Sequence, residues 1–533
     1  MPVGRVVIGV IDSGIAFAQV RFRNLGGTRI SNLWRQDFMG GPGPFAPGVQ
    51  LSGAGINAAI AAAGGDEDAV YRGVGGLGFT TGGFKPLARR RSHGTHALDL
   101  AAGDDSAANV TNRPIIAVDM PDDAVGDPAG STLTIHAFLG LLHIMREAQA
   151  LLAPNETLPV VVNLSYGPHE GPHDGTGLLE QIMDFMVRIY RTSSTPLKIV
   201  LAAGNFRQRR IHAQFNVPAL TSVRMHWRLQ PCSLSASLME IWFAAAGAQA
   251  TVTLTSPLGQ RIAVSPMNPG ARLTNAANEV LMLAQFLSAP PTGRSCVVLR
   301  IARTDFDPAA PWGQAIVPSG VWIVDVMNNG NAPVSFDAWI KRSDTPPGHP
   351  ARGRQSYFED RSVAYQQHRP NGRPEEFDRG GASRIVRAGT LSGIATGAHT
   401  EVIGGYRRGD NGNDLHPAPY SSAGPHSNST RAQSAPDWVE VTDDSIACAG
   451  VRAAGTRSGS SVAMNGTSAA APQAVRWIAN EWLSTGVRPN RPPLVAPTNP
   501  LNPNPLNPIP PAEVTRVVGG GLRLTPQRRG RPS

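Results

Sequence analysis

The first 205 residues alternate continuously apolar runs with segments of helical periodicity, and this alternation constrains the fold most. The apolar runs are RVVIGVID (5–12), PIIAVDMP (114–121), PVVVNLSYG (159–167) and LKIVLAAGN (197–205). Apolar residues at helical spacing occupy 133–152 and 177–192 between them. Strands without polar alternation are buried on both faces, as in parallel sheets covered by helices. The pattern therefore predicts an α/β fold with a doubly wound, mostly parallel sheet.

A different pattern occupies residues 212–345. Short segments there alternate apolar and polar residues, and turn-forming sequences such as SPLG and NNGNAP divide them. Five of these segments are SLMEIWFA, QATVTLTS, SCVVLRIA, GVWIVDVM and SFDAWIK. Alternation with a period of two is typical of strands that have one buried face. We therefore expect an inserted antiparallel β-sandwich or jelly-roll domain at 212–345.

Composition marks the remaining boundaries. The insertion divides the sheet domain into two expected parts, residues 1–211 and residues 385–486. A polar segment at 346–384 is expected to be a linker, after which RIVRAGTLSGIA and TEVIGGYRR resume strand-like patterns. Residues 487–533 form a basic tail rich in proline and asparagine. Its final apolar segment, TRVVGGGLRL, is a candidate to return to the body as a strand.

Composition also excludes several classes of protein. No apolar run reaches the roughly 20 residues that span a bilayer, so no membrane partner is expected. The N-terminus lacks a signal-peptide pattern, which favours a cytoplasmic location, or a secreted one if the chain is a trimmed mature form. Three scattered cysteines, Cys232, Cys296 and Cys448, form no disulfide framework. The net charge of +9 comes without a recognition motif, so a nucleic-acid partner is not expected. The oligomeric state is left open.

Four chemically potent residues stand at the ends of predicted elements. Asp12 ends the first strand, Asn205 ends the fourth, and His93 and Ser468 each begin a helix. Because parallel strands end at one edge of a sheet, we expect the four to meet there. A serine hydroxyl needs a base to become a nucleophile, and a carboxylate can orient that base. The Asn205 amide and the backbone N–H of Ser468 can hold an oxyanion, and Gly466 permits close substrate approach.

The motifs DSG (12–14), SHGTH (92–96), GN (204–205) and NGTSAAAP (465–472), in this order, resemble those of the subtilase family of serine peptidases. The resemblance covers about residues 3–205 and 385–485. It implies a catalytic triad of Asp12, His93 and Ser468, with Asn205 in the oxyanion hole. The long gap between Asn205 and Ser468 resembles the layout of clostridial germination-protease-type subtilases, which carry a jelly-roll insertion there. The segment YSSAGP (420–425) resembles the scaffold sequence FSSxGP of the family.

The resemblance also implies a substrate cleft. Ser165, Tyr166 and Gly167 would pair with the backbone of an extended peptide. Ala202, Ala203 and Gly204 would form the wall of the pocket for the residue before the scissile bond. Because this wall is small and uncharged, we expect the pocket to accept a bulky apolar side chain. A role of the insertion in binding or packing is favoured, but substrate positioning, capping of the cleft and assembly all stay open.

The expected function is a serine endopeptidase that acts on proteins or peptides through an acyl-enzyme on Ser468. Two alternatives stay open: a non-proteolytic scaffold that binds peptides, and an esterase or peptide ligase with the same triad. No propeptide is expected before the first strand. No cofactor or metal site is expected; calcium is frequent in the family, but no run of spaced Asp and Asn assigns a site.

Three further features have competing interpretations. His96 is either a metal ligand or a structural histidine, and the absence of HExxH favours the second. The segment GPHEGPHDG (167–175) is either a metal-binding loop or, as favoured here, a polar loop at the edge of the cleft. Asp99 replaces a common glycine of the family, so it either perturbs His93 or faces solvent. Asp12, Asn205 and Ser468 each also have a local alternative as turn or capping residues.

Overall fold

The computed structural model describes most of the chain. The described residues are 3–36, 48–77, 79–80, 83–84, 86–121, 124, 132–245, 247–288, 292–306, 315–344, 353–360, 378, 383–409, 415–424, 436–445, 449–496, 516–519 and 521–524. The final basic residues of the tail and Cys448 lie outside these ranges. Cys232 is exposed and Cys296 is buried, and both are free thiols. No helix within the described ranges is long and apolar enough to cross a membrane.

The first part of the chain alternates strands and helices. Its strands are β1 (Val7–Asp12), β2 (Arg23–Asn24), β3 (Gly27–Thr28), β4 (Ile30–Arg35), β5 (Val49–Ser52), β6 (Phe79–Thr80), β7 (Gly83–Phe84), β8 (Ile115–Asp119), β9 (Val160–Leu164) and β10 (Leu197–Ala202). Its helices are α1 (Gly53–Ala62), α2 (Glu67–Gly73), α3 (His93–Ala102), α4 (Leu133–Ala150) and α5 (Leu178–Tyr190). Short 3₁₀ helices lie at Val20–Phe22, Pro86–Ala88 and Ser106–Ala108. The four predicted strands correspond to β1, β8, β9 and β10.

The middle of the chain forms two antiparallel sheets. The strands are β11 (His212–Val217), β12 (Ser222–Leu229), β13 (Ser237–Phe243), β14 (Ala250–Thr255), β15 (Arg261–Val264), β16 (Gly270–Thr274), β17 (Val280–Leu287), β18 (Cys296–Ile301), β19 (Gly320–Asn328), β20 (Val334–Ile340) and β21 (Tyr357–Phe358). Among the described residues, one sheet has the order β11-β20-β13-β18-β17-β16 and the other β15-β14-β19-β12-β21. Their inner faces share one hydrophobic core, which includes Trp227, Trp322 and Phe336. The expected antiparallel sandwich is therefore present.

The last part of the chain returns to the first sheet. Its elements are β22 (Glu401–Arg408), β23 (Leu415–Pro417), β24 (Trp438–Asp443), β25 (Val451–Ala454), β26 (Ser461–Met464) and α6 (Thr467–Thr485). In the described residues, the sheet has the order β23-β22-β10-β9-β1-β8-β4-β5, with β24 also paired to β22. Every pair from β22 to β4 is parallel, and the outer strands β5 and β23 are antiparallel. The doubly wound, mostly parallel fold is confirmed.

Helices cover both faces of this sheet. On one face, α3 and α6 pack against the strands through residues such as Leu98, Ala474 and Ile478. On the other face, α4 and α5 pack through residues such as Leu141 and Met183. All six residues of β1 are buried as a result. The polar side chain of β1, Asp12, thereby stands at the carboxyl end of the strand, where the candidate site lies.

Three segments differ from, or add to, the sequence-based expectations. Tyr357 and Phe358, inside the predicted linker 346–384, pair with β12, so the inserted sheet extends beyond the expected boundary at 345. Residues 384–395 form no continuous strand: Ile385 makes an isolated antiparallel bridge to Ala213 of β11, and bends and turns follow. The later part of this segment forms backbone hydrogen bonds with loops beyond the strand ends. For example, the N–H of Gly393 donates to the Pro168 carbonyl at 2.9 Å. In the tail, Leu522 forms bridges to Val439 and Val495, as the apolar segment there suggested.

Candidate active site

The carboxyl ends of β1, β9 and β10 open onto a cleft of about 430 Å³. The cleft is lined by predicted site residues from the catalytic, oxyanion and substrate groups: His93, Ser165, Tyr166, Gly167, Ala202, Gly204, Asn205 and Ser468. Asp12 ends β1 beside this cleft and is fully buried. The structure thus brings together the four residues that the strand and helix ends selected.

His93 is held in place by the way α3 begins. Ser92 caps the helix by accepting a hydrogen bond from the N–H of Thr95. The N–H of Gly94 donates to the Ser13 carbonyl at 2.8 Å, which fixes the helix end against the turn after β1. A Cβ at Gly94 would lie 2.6 Å from that carbonyl oxygen, so the approach requires glycine. His93 is therefore delivered to the end of β1.

His93 and Asp12 form a tight pair. The Nδ1–H of His93 donates to Asp12 Oδ1 at 2.7 Å, and the N–H of Ser13 donates to the same oxygen at 2.8 Å. The Asp12 side chain is fully buried, whereas 15% of the His93 side chain stays exposed. A buried carboxylate that accepts from Nδ1 leaves Nε2 as the proton-accepting nitrogen of a neutral imidazole. The pair is thus arranged for general-base chemistry.

The pKa of His93 reflects opposing influences. Burial alone would lower it, because the charged imidazolium loses solvation. The Asp12 charge and the hydrogen bond to Asp12 outweigh burial, and the pKa lies above the usual value for histidine. Arg342, which follows β20 of the inserted domain, acts in the opposite direction and lowers the pKa.

Ser468 lies at the start of α6, next to a turn that only glycine can make. Gly466 precedes the helix with φ of 117°, a left-handed conformation that favours glycine. A Cβ there would lie 2.9 Å from Asn205 Nδ2 and 3.4 Å from Ser468 Oγ. The open space at Gly466 therefore separates the nucleophile candidate from the oxyanion candidate and is bounded by both.

Asn205 is oriented by Thr467, a residue that sequence reasoning did not single out. Asn205 Oδ1 accepts from the backbone N–H of Thr467 at 2.9 Å and from its hydroxyl at 3.2 Å. The Thr467 hydroxyl also accepts from the N–H of Gly204 at 3.0 Å. With its oxygen held in this way, Asn205 presents its amide N–H groups to the cleft. The signal was present in the sequence, because Thr467 is the third residue of NGTS.

Ser468 and His93 line the same cleft without a direct contact. Both residues belong to the described part of the chain, and no hydrogen bond joins their side chains there. Catalytic hydrogen bonds are often long in ligand-free structures and tighten when the substrate binds. The arrangement is compatible with proton transfer between the two.

The residues predicted to bind substrate are divided between cleft and core. Tyr166 presents its ring edge-on to the His93 ring, with 6.2 Å between the ring centroids. A Cβ at Gly167 would lie 2.1 Å from Ser392 Oγ, so a larger residue there would displace the Ser392 hydroxyl. Ala203 is fully buried and packs in the core below the sheet, in contrast to the expected position in the pocket wall. Its carbonyl accepts from the N–H of Ser392 at 2.8 Å.

A sequence profile described as the subtilase family matches residues 4–482. The chain belongs to the subtilase family. It is accordingly a subtilisin-like serine peptidase that acts on proteins or peptides. Its fold is similar to that in the "Structure of the Clostridium Perfringens CspB protease", with a TM-score of 0.60 and 19% sequence identity. That match covers 90% of this chain and 84% of the other. A search of curated proteins found no significant match.

Two residues of this subtilase's histidine helix have structural contacts. His96 is buried, and its Nε2 donates to the Val451 carbonyl at 2.8 Å. Asp99 is also buried, so the expectation that it faces solvent is wrong. It forms a 2.9 Å ion pair with Arg21 and accepts from the N–H of Ala454 at 2.9 Å. Asp99 therefore joins α3 to β25, because a buried carboxylate must be paired.

The histidine-rich loop 167–175 is buried, whereas a polar loop at the cleft edge was expected. His169 and His173 are 0% and 1% exposed. His169 packs against Phe206, with 4.0 Å between ring centroids, and His173 stacks on Trp339 at 4.3 Å. No group of three or more metal-ligating side chains occurs within the described residues. The loop packs between the sheet domain and the insertion.

Tyr420, in the segment expected to be scaffold, contacts the turn before Ser468. The Tyr420 hydroxyl accepts from the N–H of Gly466 at 3.1 Å and donates to Asp443 Oδ2 at 2.6 Å. Burial, followed by the nearby charge of Asp443, raises the pKa of Tyr420 well above its usual range. The hydroxyl is therefore a fixed donor and acceptor that ties the Gly466 turn to β24.

Proposed function

We propose that this subtilase is an endopeptidase that works through an acyl-enzyme on Ser468. His93 removes the proton of the Ser468 hydroxyl as the oxygen attacks the peptide carbonyl. The same proton then passes to the leaving amine as the C–N bond breaks. Water, activated by His93, hydrolyses the ester and regenerates Ser468. The observation that carries the proposal is the 2.7 Å contact between His93 and buried Asp12 in the cleft that Ser468 lines.

Asp12 and Asn205 stabilise the positive and negative charges that develop during this reaction. Asp12 holds His93 in the tautomer with a free Nε2 and stabilises the imidazolium that forms. The Asn205 amide and the backbone N–H of Ser468 donate to the oxyanion of the tetrahedral intermediate. The anchoring of Asn205 Oδ1 by Thr467 supports this assignment, since it keeps the donor end of the amide oriented before the substrate arrives.

The substrate binds as an extended strand along Ser165, Tyr166 and Gly167, which continue beyond the end of β9. Ala202 and Gly204 form the wall of the pocket for the residue before the scissile bond. Their small size supports the acceptance of a bulky apolar side chain in this pocket. The buried position of Ala203 removes it from the proposed wall.

Fluorophosphonate labelling followed by intact-mass measurement tests the nucleophile. We expect one adduct on the wild-type chain and none on Ser468→Ala, together with loss of casein hydrolysis in the variant. A control variant, Ser106→Ala, replaces a serine far from the cleft and is expected to keep the adduct. A well-folded wild-type chain that forms no adduct would overturn the proposal in favour of a peptide-binding scaffold.

The esterase and ligase alternatives differ from the proposal at the second step. An added amine nucleophile would compete with water for the acyl-enzyme in a ligase. We expect hydrolysed peptide to remain the main product when such an amine is supplied. Transfer of the acyl group to the amine as the main outcome would instead favour the ligase.

A further inference from the structure

The charged residues that line the cleft are mostly of one sign. In the part of the chain that the structure describes, they comprise four arginines and one aspartate: Arg89, Arg91, Arg209, Arg342 and Asp344. Arg89 and Arg91 come from the loop before α3, whereas the other three lie at the junctions with the insertion. A cleft lined by one sign of charge concentrates ligands of the opposite sign.

Asp344 is shared between two of these arginines. Arg342 Nε donates to Asp344 Oδ1 at 2.9 Å, and Arg209 Nη1 donates to Asp344 Oδ2. Burial alone would raise the pKa of Asp344, but the two guanidinium groups lower it, so the carboxylate stays ionised. One carboxylate thus faces two guanidinium groups, and an excess positive charge remains at this position.

The two guanidinium groups keep donors for a ligand. Each uses one nitrogen on Asp344, and neither side chain makes a further hydrogen bond to a described side chain or carbonyl. The Arg209 and Arg342 side chains are 35% and 15% exposed, so their positions are restrained by packing. The Arg209 guanidinium lies 5.8 Å from the centroid of the Phe206 ring. Such pre-positioned guanidinium groups match the geometry of carboxylates.

Arg342 connects the insertion with the catalytic residues. It follows β20, which ends at Ile340, and it lines the cleft together with His93. Its positive charge acts to lower the pKa of His93, in keeping with the position of both side chains on the same cleft. An acidic group bound at Arg342 would therefore lie near the reacting bond.

We propose that the cleft selects peptides with Asp or Glu close to the scissile bond, and that Arg209 and Arg342 determine this specificity. The proposal rests on the proposed endopeptidase function and names its substrate class. Attraction favours acidic segments, and repulsion by the same arginines disfavours basic ones. The insertion then takes part in substrate selection through Arg342, and Asp344 limits the excess charge.

Cleavage-site profiling on a proteome-derived peptide library tests the preference. We expect Asp and Glu to be enriched within a few positions of the cut bond. A matched pair of fluorogenic peptides, with Glu or Gln at the enriched position, then measures the effect. The kcat/KM ratio is expected to favour Glu by about tenfold, the size of one charge-assisted hydrogen bond.

Variants of the three junction residues change this ratio in opposite directions. Arg342→Gln and Arg209→Gln are expected to reduce the preference for Glu severalfold, and Arg342→Lys to restore part of it. Asp344→Asn is expected to increase it, because it removes the competing carboxylate. Arg261→Gln alters an exposed arginine of β15 outside the cleft and is expected to leave the ratio unchanged.

The outcomes separate this proposal from the one on which it rests. Fluorophosphonate labelling and casein hydrolysis report the catalytic residues independently of sequence preference. If both are positive but acidic residues are not enriched, the specificity proposal is wrong and the peptidase proposal stands. An enrichment that persists in the Arg209→Gln/Arg342→Gln double variant would likewise overturn the assignment to these arginines.

Discussion

Strands β1 and β19 show how differently the two parts of the molecule use their polar residues. All six residues of β1 are buried, whereas half-buried positions alternate with buried ones along β19. Helices on both faces leave β1 one place for polar chemistry, its carboxyl end, where Asp12 lies. The sandwich strands carry polar groups along their solvated faces, and the insertion's charges reach the cleft only beyond the end of β20. In both parts, residues near the carboxyl end of a strand reach the cleft. In β1 the reason is burial of the rest of the strand, and in β20 it is the position of the strand end beside the cleft.

The contact between the two parts is built from buried aromatic and ionic groups. Trp339 of β20 stacks on His173 of the sheet domain and on His212 of β11, with 4.3 and 4.7 Å between ring centroids. Arg294 pairs with Asp174 at 2.9 Å across the same contact. This packing places the insertion against the loop 167–175, which itself packs on Phe206 through His169. The proposed reaction depends on residues of the sheet domain, and the proposed selectivity depends on residues beside and within the insertion.

Asp12→Asn gives the largest expected effect and tests the role of the sheet domain. The amide cannot stabilise the imidazolium and favours the wrong tautomer, so kcat is expected to fall by about 10⁴. Loss of the Asp12 charge also lets burial lower the pKa of His93. Because the base must be neutral, the acidic limb of the pH–rate profile should move to lower pH. Steady-state kinetics across pH 5–9 measure both changes.

A control variant tests whether the effect is specific to Asp12 or follows from the loss of any paired carboxylate. Asp325→Asn removes a carboxylate that pairs with Arg224 on the solvated face of an insertion sheet. It is expected to leave both kcat and the acidic limb unchanged, since exposed ion pairs contribute little. Activity of Asp12→Asn within tenfold of the wild-type chain would contradict the proposed role of Asp12.

His169 provides the second test, of the contact between the two parts. Burial first, with smaller effects of the positive charges of His212 and Arg209, lowers its pKa to about 3. In the unfolded chain the imidazole titrates near 6.5, so below about pH 6.5 only the unfolded state binds this proton. Stability is therefore full above that pH and is lost as pH falls toward 3, by about 1.4 kcal/mol per unit.

Replacing His169 by leucine removes this titration. The difference in unfolding free energy between pH 7 and pH 4.5, measured by urea denaturation, should be smaller by about 2 to 3 kcal/mol in His169→Leu than in the wild-type chain. His399→Gln changes an exposed histidine and is expected to keep the wild-type pH dependence. An equal acid sensitivity of His169→Leu and wild type would mean that His169 does not resist protonation in the folded state.

The sequence was sufficient to predict those strands and helices that have a pattern within their own residues. Continuous apolar runs identified β1, β8, β9 and β10. The ends of two strands selected Asp12 and Asn205, and the starts of two helices selected His93 and Ser468. Alternation along an extended backbone also separates Ala203 from its neighbours, because successive side chains point to opposite sides. That rule, applied at the end of β10, would have moved Ala203 out of the pocket wall.

Other parts of the site depend on contacts between distant segments and have no local signal. Asp99 is buried because Arg21 and the backbone of β25 reach it, and no spacing in the sequence encodes those partners. Arg342 and Asp344 lie in an ordinary polar stretch after a strand. Only the packing of the insertion against the sheet domain brings them to the cleft. The burial of His169 depends on the same packing.

Tyr420→Phe gives the smallest expected effect and tests whether the turn before Ser468 needs its link to β24. The variant removes one hydroxyl and matches the phenylalanine of FSSxGP, while Asp443 Oδ2 keeps its bond from the Thr442 hydroxyl at 3.1 Å. The Gly466 N–H loses its acceptor, so kcat should fall by about five- to tenfold with KM unchanged, the size of one hydrogen bond.

Tyr406 provides the control. Its hydroxyl lies away from the cleft and donates to the Arg523 carbonyl at 3.1 Å, so Tyr406→Phe should lower stability without changing kcat. If Tyr420→Phe lowers only stability, as expected for the control, Tyr420 is scaffold; a fall in kcat at unchanged KM makes it a positioning residue for Ser468.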